Sequence, residues 1–253
     1  MDYINIDKNN IDEHHICCAL GSDKRNTLAA SYKKAWMKDR FEDGLEFIKG
    51  DVRGKVFIEF GPAESMWKPV IANDYMMINC IWVAGKFSGQ GHGDELLNMT
   101  IARAKKLGKK GLVVVSADKN IPYLTEKKFY LKHGFKQVDR HLDFVLLALN
   151  FDGDNTDNIK IIRNKGEDFD GLVIYYSHQC PFTEEYAHII VEEAKNMGLD
   201  AKAVLLKNKK EVDKYACPFG TNTVYLGGEF LTHSIMSVKM LRKLLDKKLD
   251  NKN

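Results

Sequence analysis

The chain has 253 residues, 44% of them hydrophobic, with 38 lysine and arginine residues against 35 aspartate and glutamate for a formal charge of +3. That much apolar material suffices for one large or two modest globular domains and excludes disorder as the default state. The near balance of charge argues against a blanket electrostatic attraction to nucleic acid or to an anionic membrane, and favours a small-molecule partner.

The stretch from Met1 to Asn10 is polar where an export signal is basic and then apolar, and no apolar run approaches the roughly 20 residues that cross a bilayer. A cytoplasmic location is expected. Cys17, Cys18, Cys80, Cys180 and Cys217 are odd in number and widely spread, so no disulfide framework is expected. The run His14-His15-Ile16-Cys17-Cys18 lacks a second ligand pair at zinc-site spacing, and no metal is expected there. It reads instead as an early helix whose Ile11, Cys18 and Leu28 cover a sheet, with the histidines at the surface.

Residues 45–49 and 55–60 flank the turn Asp51-Val52-Arg53-Gly54 and predict a β-hairpin. Residues 76–83 are almost continuously apolar, as in a strand buried on both faces. After a glycine-rich loop, Leu96, Leu97, Thr100, Ile101, Ala104 and Leu107 recur at helical spacing over 94–107, and Gly108 ends that helix. Residues 111–116 predict a core strand, 125–133 a short helix closed by Gly134, and 138–149 a final strand of this half. Turn formers dominate 150–158, making it the expected boundary between domains at 1–150 and 159–253. An EF-hand reading of its aspartates fails, because the twelfth position from Asp152 is Arg163 where a bidentate glutamate is needed. Beyond it, a strand at 172–176, a helix at 183–197 and a strand at 201–206 form a βαβ unit. Residues 223–226 and 229–231 predict a hairpin around Gly227-Gly228, and 237–249 a terminal helix.

The loop Ser88-Gly89-Gln90-Gly91-His92-Gly93-Asp94 carries a buried strand directly into a helix. Its glycines permit tight turns that expose successive N–H groups, and the helix N-terminus adds about half a positive charge, so the junction suits a pyrophosphate without any basic side chain. It is not a Rossmann fingerprint, since at least three strands precede it, and no G-K-[ST] follows as in a Walker loop.

These residues resemble the pyrophosphate loop Q/R-x-x-G-x-G/A of the GNAT acetyltransferase superfamily, with Ser88 at the position the family gives to glutamine or arginine. The segment Lys128-Phe129-Tyr130-Leu131-Lys132-His133-Gly134-Phe135 is similar to the family's second signature. The resemblance implies an α/β mixed-sheet GNAT domain in which the strands ending at Val83 and Ser116 splay to admit the pantetheine arm of acetyl-CoA. Ile81, Trp82, Val83, Ser116, Lys128 and Phe129 would join residues 88–94 in holding it, with the thioester near Asn79 to Trp82. Tyr130 matches the tyrosine that protonates the departing thiolate; the asparagine usual somewhat earlier is absent, and Tyr123 stands near its place. The implied activity is N-acetyl transfer by direct attack of an amine in a ternary complex. A carboxylate that accepts the amine's proton is then needed, and Glu59 and Glu64 are the candidates, Glu59 either pointing to solvent or held for use. Trp67, Trp82 and Tyr75 are candidates for lining an acceptor pocket. The acceptor would be a small-molecule or peptide amine, and a second copy of the chain is a further candidate partner.

In the C-terminal half, Cys180 follows a core strand at the start of a helix, where the helix N-terminus would lower its thiol pKa. Cys180-Pro181-Phe182-Thr183 resembles the active-site corner of glutaredoxins and thioredoxins with only the first thiol kept, and Asn222 stands where they carry a cis-proline. Cys217 is a candidate resolving thiol. The whole arrangement resembles bacterial acetyltransferases with a YoaP-like, thioredoxin-like C-terminal α/β domain. A CoA-binding sensor or a monothiol redox protein using Cys180 are the alternative activities.

Overall fold

The computed structural model describes residues 1–153, 156 and 158–250. In chain order the elements of the first half are β1 (Tyr3–Ile6), α1 (Lys24–Phe41), β2 (Glu46–Gly50), β3 (Val56–Pro62), β4 (Val70–Ile71), β5 (Tyr75–Val83), α2 (His92–Lys106), β6 (Gly111–Ala117), α3 (Lys127–Leu131), β7 (Lys136–His141) and β8 (Phe144–Asn150). The second half adds β9 (Lys160–Ile161), β10 (Leu172–Tyr176), α4 (Thr183–Asn196), β11 (Ala201–Leu205), α5 (Lys209–Tyr215), β12 (Asn222–Leu226), β13 (Glu229–Thr232) and α6 (Val238–Asp250). Among the described residues no helix is long and apolar enough to cross a membrane.

Seven strands form a mixed sheet in the order β1-β2-β3-β5-β6-β8-β7, four form a second in the order β11-β10-β12-β13, and β4 pairs β9. In the large sheet β5 and β6 run parallel, as the intervening helix α2 requires, and the other neighbours are antiparallel. Leu96, Leu97 and Ala104 of α2 pack on one face with Tyr130 and Phe135. The opposite face receives Trp36 and Met37 of α1 and, in the same core, Val173 and Tyr175 of β10 with Val212 of α5. The apolar core therefore crosses from the large sheet into the C-terminal half without interruption. Strand β10 alternates, so Leu172, Ile174 and Tyr176 point the other way, toward α4 and α6.

Several expectations are corrected. Residues 138–149 are not one strand: β7 and β8 pair antiparallel across Leu142-Asp143, with Leu142 at φ 56. A leucine in the left-handed region is uncommon, and this turn has no glycine or asparagine to announce it. The opening helix over Ile11, Cys18 and Leu28 is also absent. Turns occupy that stretch, and the helix begins only after Asp23, whose side chain accepts the Asn26 N–H at 3.1 Å. Ile11 and Cys17 are buried, whereas Leu28 is 50% exposed. His15 is half-buried and bonds the Val52 carbonyl at 2.9 Å. The 125–133 helix shortens to α3, and β1, β4, β9 and α5 are too short for periodicity to register. Of the expected boundary at 150–158, Asp154, Asn155 and Asp157 lie outside the described residues.

The two halves meet closely at Gly220, which has φ +80 and would place a Cβ 2.3 Å from the Trp67 carbonyl oxygen. Gly220→Ala adds left-handed strain to that clash and should cost at least about 2 kcal/mol, read as a lower urea midpoint at constant m-value.

Candidate active site

Strand β5 leads through a short turn into the glycine loop. Gly89 and Gly91 have φ 76 and 83, and a Cβ on either would meet nothing within 4 Å, so the space above the backbone is open. Gly91 caps α2 without a side-chain bond, leaving the first-turn N–H groups of His92, Gly93 and Asp94 without intrahelical partners. The neighbouring side chains turn elsewhere. His92 bonds the Tyr3 hydroxyl and Glu95, each at 3.1 Å, and Gln90 donates to the Lys86 carbonyl at 2.5 Å. Ser88 donates to the Val83 carbonyl at 3.4 Å. Asp94 is held by Lys132 and His133 at 2.9 Å each, and Lys132 draws its carboxyl below the usual range. Phe129 packs against the loop, 3.4 Å from where a Gly93 Cβ would stand, while exposed Lys128 pairs with Glu126 at 2.6 Å. What residues 88–94 offer a ligand is backbone.

Beside the loop the large sheet opens. The β5–β6 ladder runs from Tyr75↔Gly111 to Ile78↔Val114, after which the strands continue without pairing to Val83 and Ala117. Thr125 spans the gap: its hydroxyl donates to the Ile81 carbonyl at 3.2 Å, and its carbonyl accepts from the Ser116 hydroxyl at 2.8 Å. Sequence reasoning missed this residue, which nothing in its local pattern distinguishes. Tyr130 lies nearby and is 2% exposed. Burial pushes its phenol above the ordinary value, so it stays protonated at neutral pH with an O–H to donate.

A β-bulge shapes the other side of β5. Glu59 pairs Cys80 and Phe60 pairs Ile78, which leaves Asn79 as an extra residue. Asn79 and Cys80 consequently both line a chamber of about 130 Å³ between the large sheet and the C-terminal half. Its apolar walls include Phe57, Trp82, Phe182 and Phe219, and its polar walls include Lys33, Lys55, Lys68, Gln179 and Thr221. Trp82 is the one expected aromatic that lines it. Trp67 packs edge-on against Trp36 at 5.6 Å, and the Tyr75 hydroxyl donates to Asn150 at 2.6 Å.

Glu59 does not point to solvent. It is fully buried one layer behind the chamber wall, accepting from Lys33 at 2.6 Å, from Gln179 at 2.9 Å and from Asn79 at 3.3 Å. Burial alone would pull the Lys33 ammonium down; the Glu59 carboxylate outweighs it and holds Lys33 above its ordinary value. Glu64 lies apart on an exposed turn, where it accepts the Asp74 N–H at 2.5 Å. Lys33 falls among Ala29, Trp36 and Met37 on the buried stripe of α1, and a lysine at that spacing was the signal for it. Lys68 is buried too, donates to the Phe219 carbonyl, and burial lowers its ammonium to about 8.

The thiols behave differently from expectation. Cys180 lines the chamber with Cys18 and Cys80, and burial pushes it up to about 11 despite a hydrogen bond from the Phe182 backbone. Desolvation outweighs the helix N-terminus. Cys217 is buried outside the chamber wall, donating to the Asn222 carbonyl at 3.6 Å, and all five cysteines are free.

The acetyltransferase (GNAT) family model matches residues 11–135. The chain is 37% identical over 249 residues to the uncharacterized N-acetyltransferase YoaP of Bacillus subtilis (strain 168), covering 97% of this chain and 99% of that protein. The chain belongs to the GNAT acetyltransferase family, and it is an N-acetyltransferase. Among solved structures, the PaiA N-acetyltransferase of Thermoplasma acidophilum in complex with coenzyme A is 15% identical, covering 60% of this chain and 100% of that one with a TM-score of 0.41. A GNAT acetyltransferase of Brucella melitensis in complex with acetyl-CoA is 16% identical, covering 62% and 93% with a TM-score of 0.38.

Lys68 makes stability depend on pH. Its folded pKa of about 8 lies below the ordinary 10.5, so between those values the unfolded chain holds a proton the folded chain has released, and stability rises with pH. The stability advantage of Lys68→Met over the parent should therefore shrink by up to about 3 kcal/mol from pH 7 to pH 10, measured by paired denaturant titrations.

Proposed function

We propose that the chain transfers an acetyl group from acetyl-CoA to an amine bound in the chamber, by direct attack in a ternary complex. The observation that carries this reading is that the segment 79–82 borders the gap between β5 and β6 and, through Asn79, Cys80 and Trp82, lines the chamber, so a thioester lying in the gap meets an acceptor across one strand. The backbone of Ser88, Gly89, Gln90, Gly91, His92, Gly93 and Asp94 takes the pyrophosphate at the N-terminus of α2. Ile81, Trp82, Val83 and Ser116 flank the pantetheine, with Thr125 at the point where the strands part, and Phe129 closes the loop side.

The amine nitrogen bonds to the acetyl carbon, the carbon–sulfur bond breaks, the amine gives up one proton and the thiolate takes one from Tyr130. Burial keeps that phenol protonated, which supports the donor role. The amine's proton goes to Lys33 as Lys33 passes one of its own to Glu59, to which it donates at 2.6 Å, leaving the carboxyl neutral and the lysine charged as before. Cys180, held up near 11, is a poor thiolate, which disfavours both an acyl-cysteine intermediate and a monothiol redox activity.

The order β11-β10-β12-β13, with β10 parallel to β11 and antiparallel to β12, supports a thioredoxin-like domain at 159–253 behind a GNAT domain at 1–150. In this reading its corner at Gln179 and Cys180 serves as a chamber wall.

Tyr130→Phe should lower kcat about 100-fold while acetyl-CoA affinity by calorimetry stays the same; undiminished turnover would remove Tyr130 from the mechanism. Gly91→Val, forced into a left-handed backbone, should weaken acetyl-CoA binding at least about tenfold, and equal affinity would move the pyrophosphate elsewhere.

A further inference from the structure

Two kinds of unmet demand belong to residues that line the chamber. Asn79 Oδ1 is buried in its wall and has no hydrogen-bond partner among the described residues. Its orientation follows from its neighbour, because Nδ2 donates to Glu59 and a flipped amide would set oxygen against a carboxylate. A stranded acceptor at that depth is satisfied only by an N–H or O–H donor from a ligand or a water.

The opposite demand is for negative charge. Glu59 compensates Lys33, but no carboxylate among the described residues pairs with Lys55 or Lys68, which line the same chamber. Exposed Lys55 lies 5.7 Å from the Trp82 ring centre, and Lys68 lies 4.9 Å from that of Phe219 with one N–H given to the Phe219 carbonyl. Each keeps donors to spare, an ammonium having three. Aromatic walls complete the chamber, whose volume of about 130 Å³ is too confined for a folded partner.

Building on the acyl-transfer reading, we propose that the acceptor is a small α-amino acid, its amine directed to Asn79 Oδ1 and its carboxylate held between Lys55 and Lys68. Acetylation converts the amine to an amide with loss of one proton and leaves the carboxylate intact. The product keeps one N–H for Asn79 but no cation. A simple amine would leave both lysines uncompensated, and a peptide N-terminus would bring an amide where they require an anion.

The test is thiol release by the full-length protein with acetyl-CoA and a matched panel: α-amino acids of increasing side-chain size, their carboxamides, and the amines lacking the carboxylate. At least one amino acid should exceed its carboxamide and its decarboxylated amine by tenfold or more in kcat/KM. Lys55→Ala, at an exposed position that does not threaten folding, should cut that ratio at least threefold, and Lys68→Met should do the same. Equal or better turnover of the uncharged analogues overturns the proposal, as does an unchanged ratio in Lys55→Ala. Refusal of every amino acid by protein that binds acetyl-CoA in calorimetry also overturns it and leaves acyl transfer standing. No acetyl-CoA binding, seen before any amine is added, brings down the underlying reading and the proposal with it.

Discussion

The buried ion pair between Lys33 and Glu59 organises the centre of the molecule. It joins α1 to β3, and the remaining acceptor capacity of the carboxylate reaches Asn79 on β5 and Gln179 of the C-terminal half, which in turn accepts from Thr221 at 3.3 Å. A pair this deep adds little net stability, because desolvating two charges offsets most of their attraction. Its value is directional. Removing either partner strands a charge at a cost of about 3–5 kcal/mol, so the groups around it keep one arrangement.

In the proposed reading, donor binding and acceptor recognition divide along β5. On the side of α2 the demands are met by backbone: open glycines, a helix N-terminus and strand edges left unpaired where the ladder stops. On the opposite side they are met by side chains contributed from remote parts of the chain. The C-terminal half shares a continuous apolar core with the large sheet and reinforces it with polar contacts such as the Tyr123 hydroxyl to the Ile235 carbonyl at 3.1 Å and His233 to the Pro122 carbonyl at 3.0 Å. It behaves as a structural part of the site rather than as an appendage.

That division also explains what was legible in the sequence. The apolar run of β5 and the amphipathic stripe of α2 are local patterns with local causes, and the structure has the strand and the helix there, joined by the glycine loop. The chamber is not local. Gln179 lies 120 residues from Glu59, and no spacing rule brings them together. Glu59 looked equally suited to solvent because strand parity does not say which face is covered. Cys180 misled for a related reason: its place at a helix start is visible in the sequence, but the walls that desolvate it come from the other half of the chain. The hairpin at Leu142 escaped notice because its turn has no glycine or asparagine and puts a leucine in the left-handed region.

The extra residue at Asn79 resets the strand that carries it. Before it, Met77 faces the core shared with the C-terminal half while Met76 and Ile78 face α2; after it, Cys80 and Trp82 take the shared face and Ile81 the other. Deleting that one amino acid would leave Cys80, Ile81 and Trp82 on the faces they hold now and take only an amide from the chamber wall. Straightening the strand with the residue kept would do the reverse, turning Ile81 toward the chamber and Trp82 toward α2, so the kink rather than the chain length decides which face each later side chain serves.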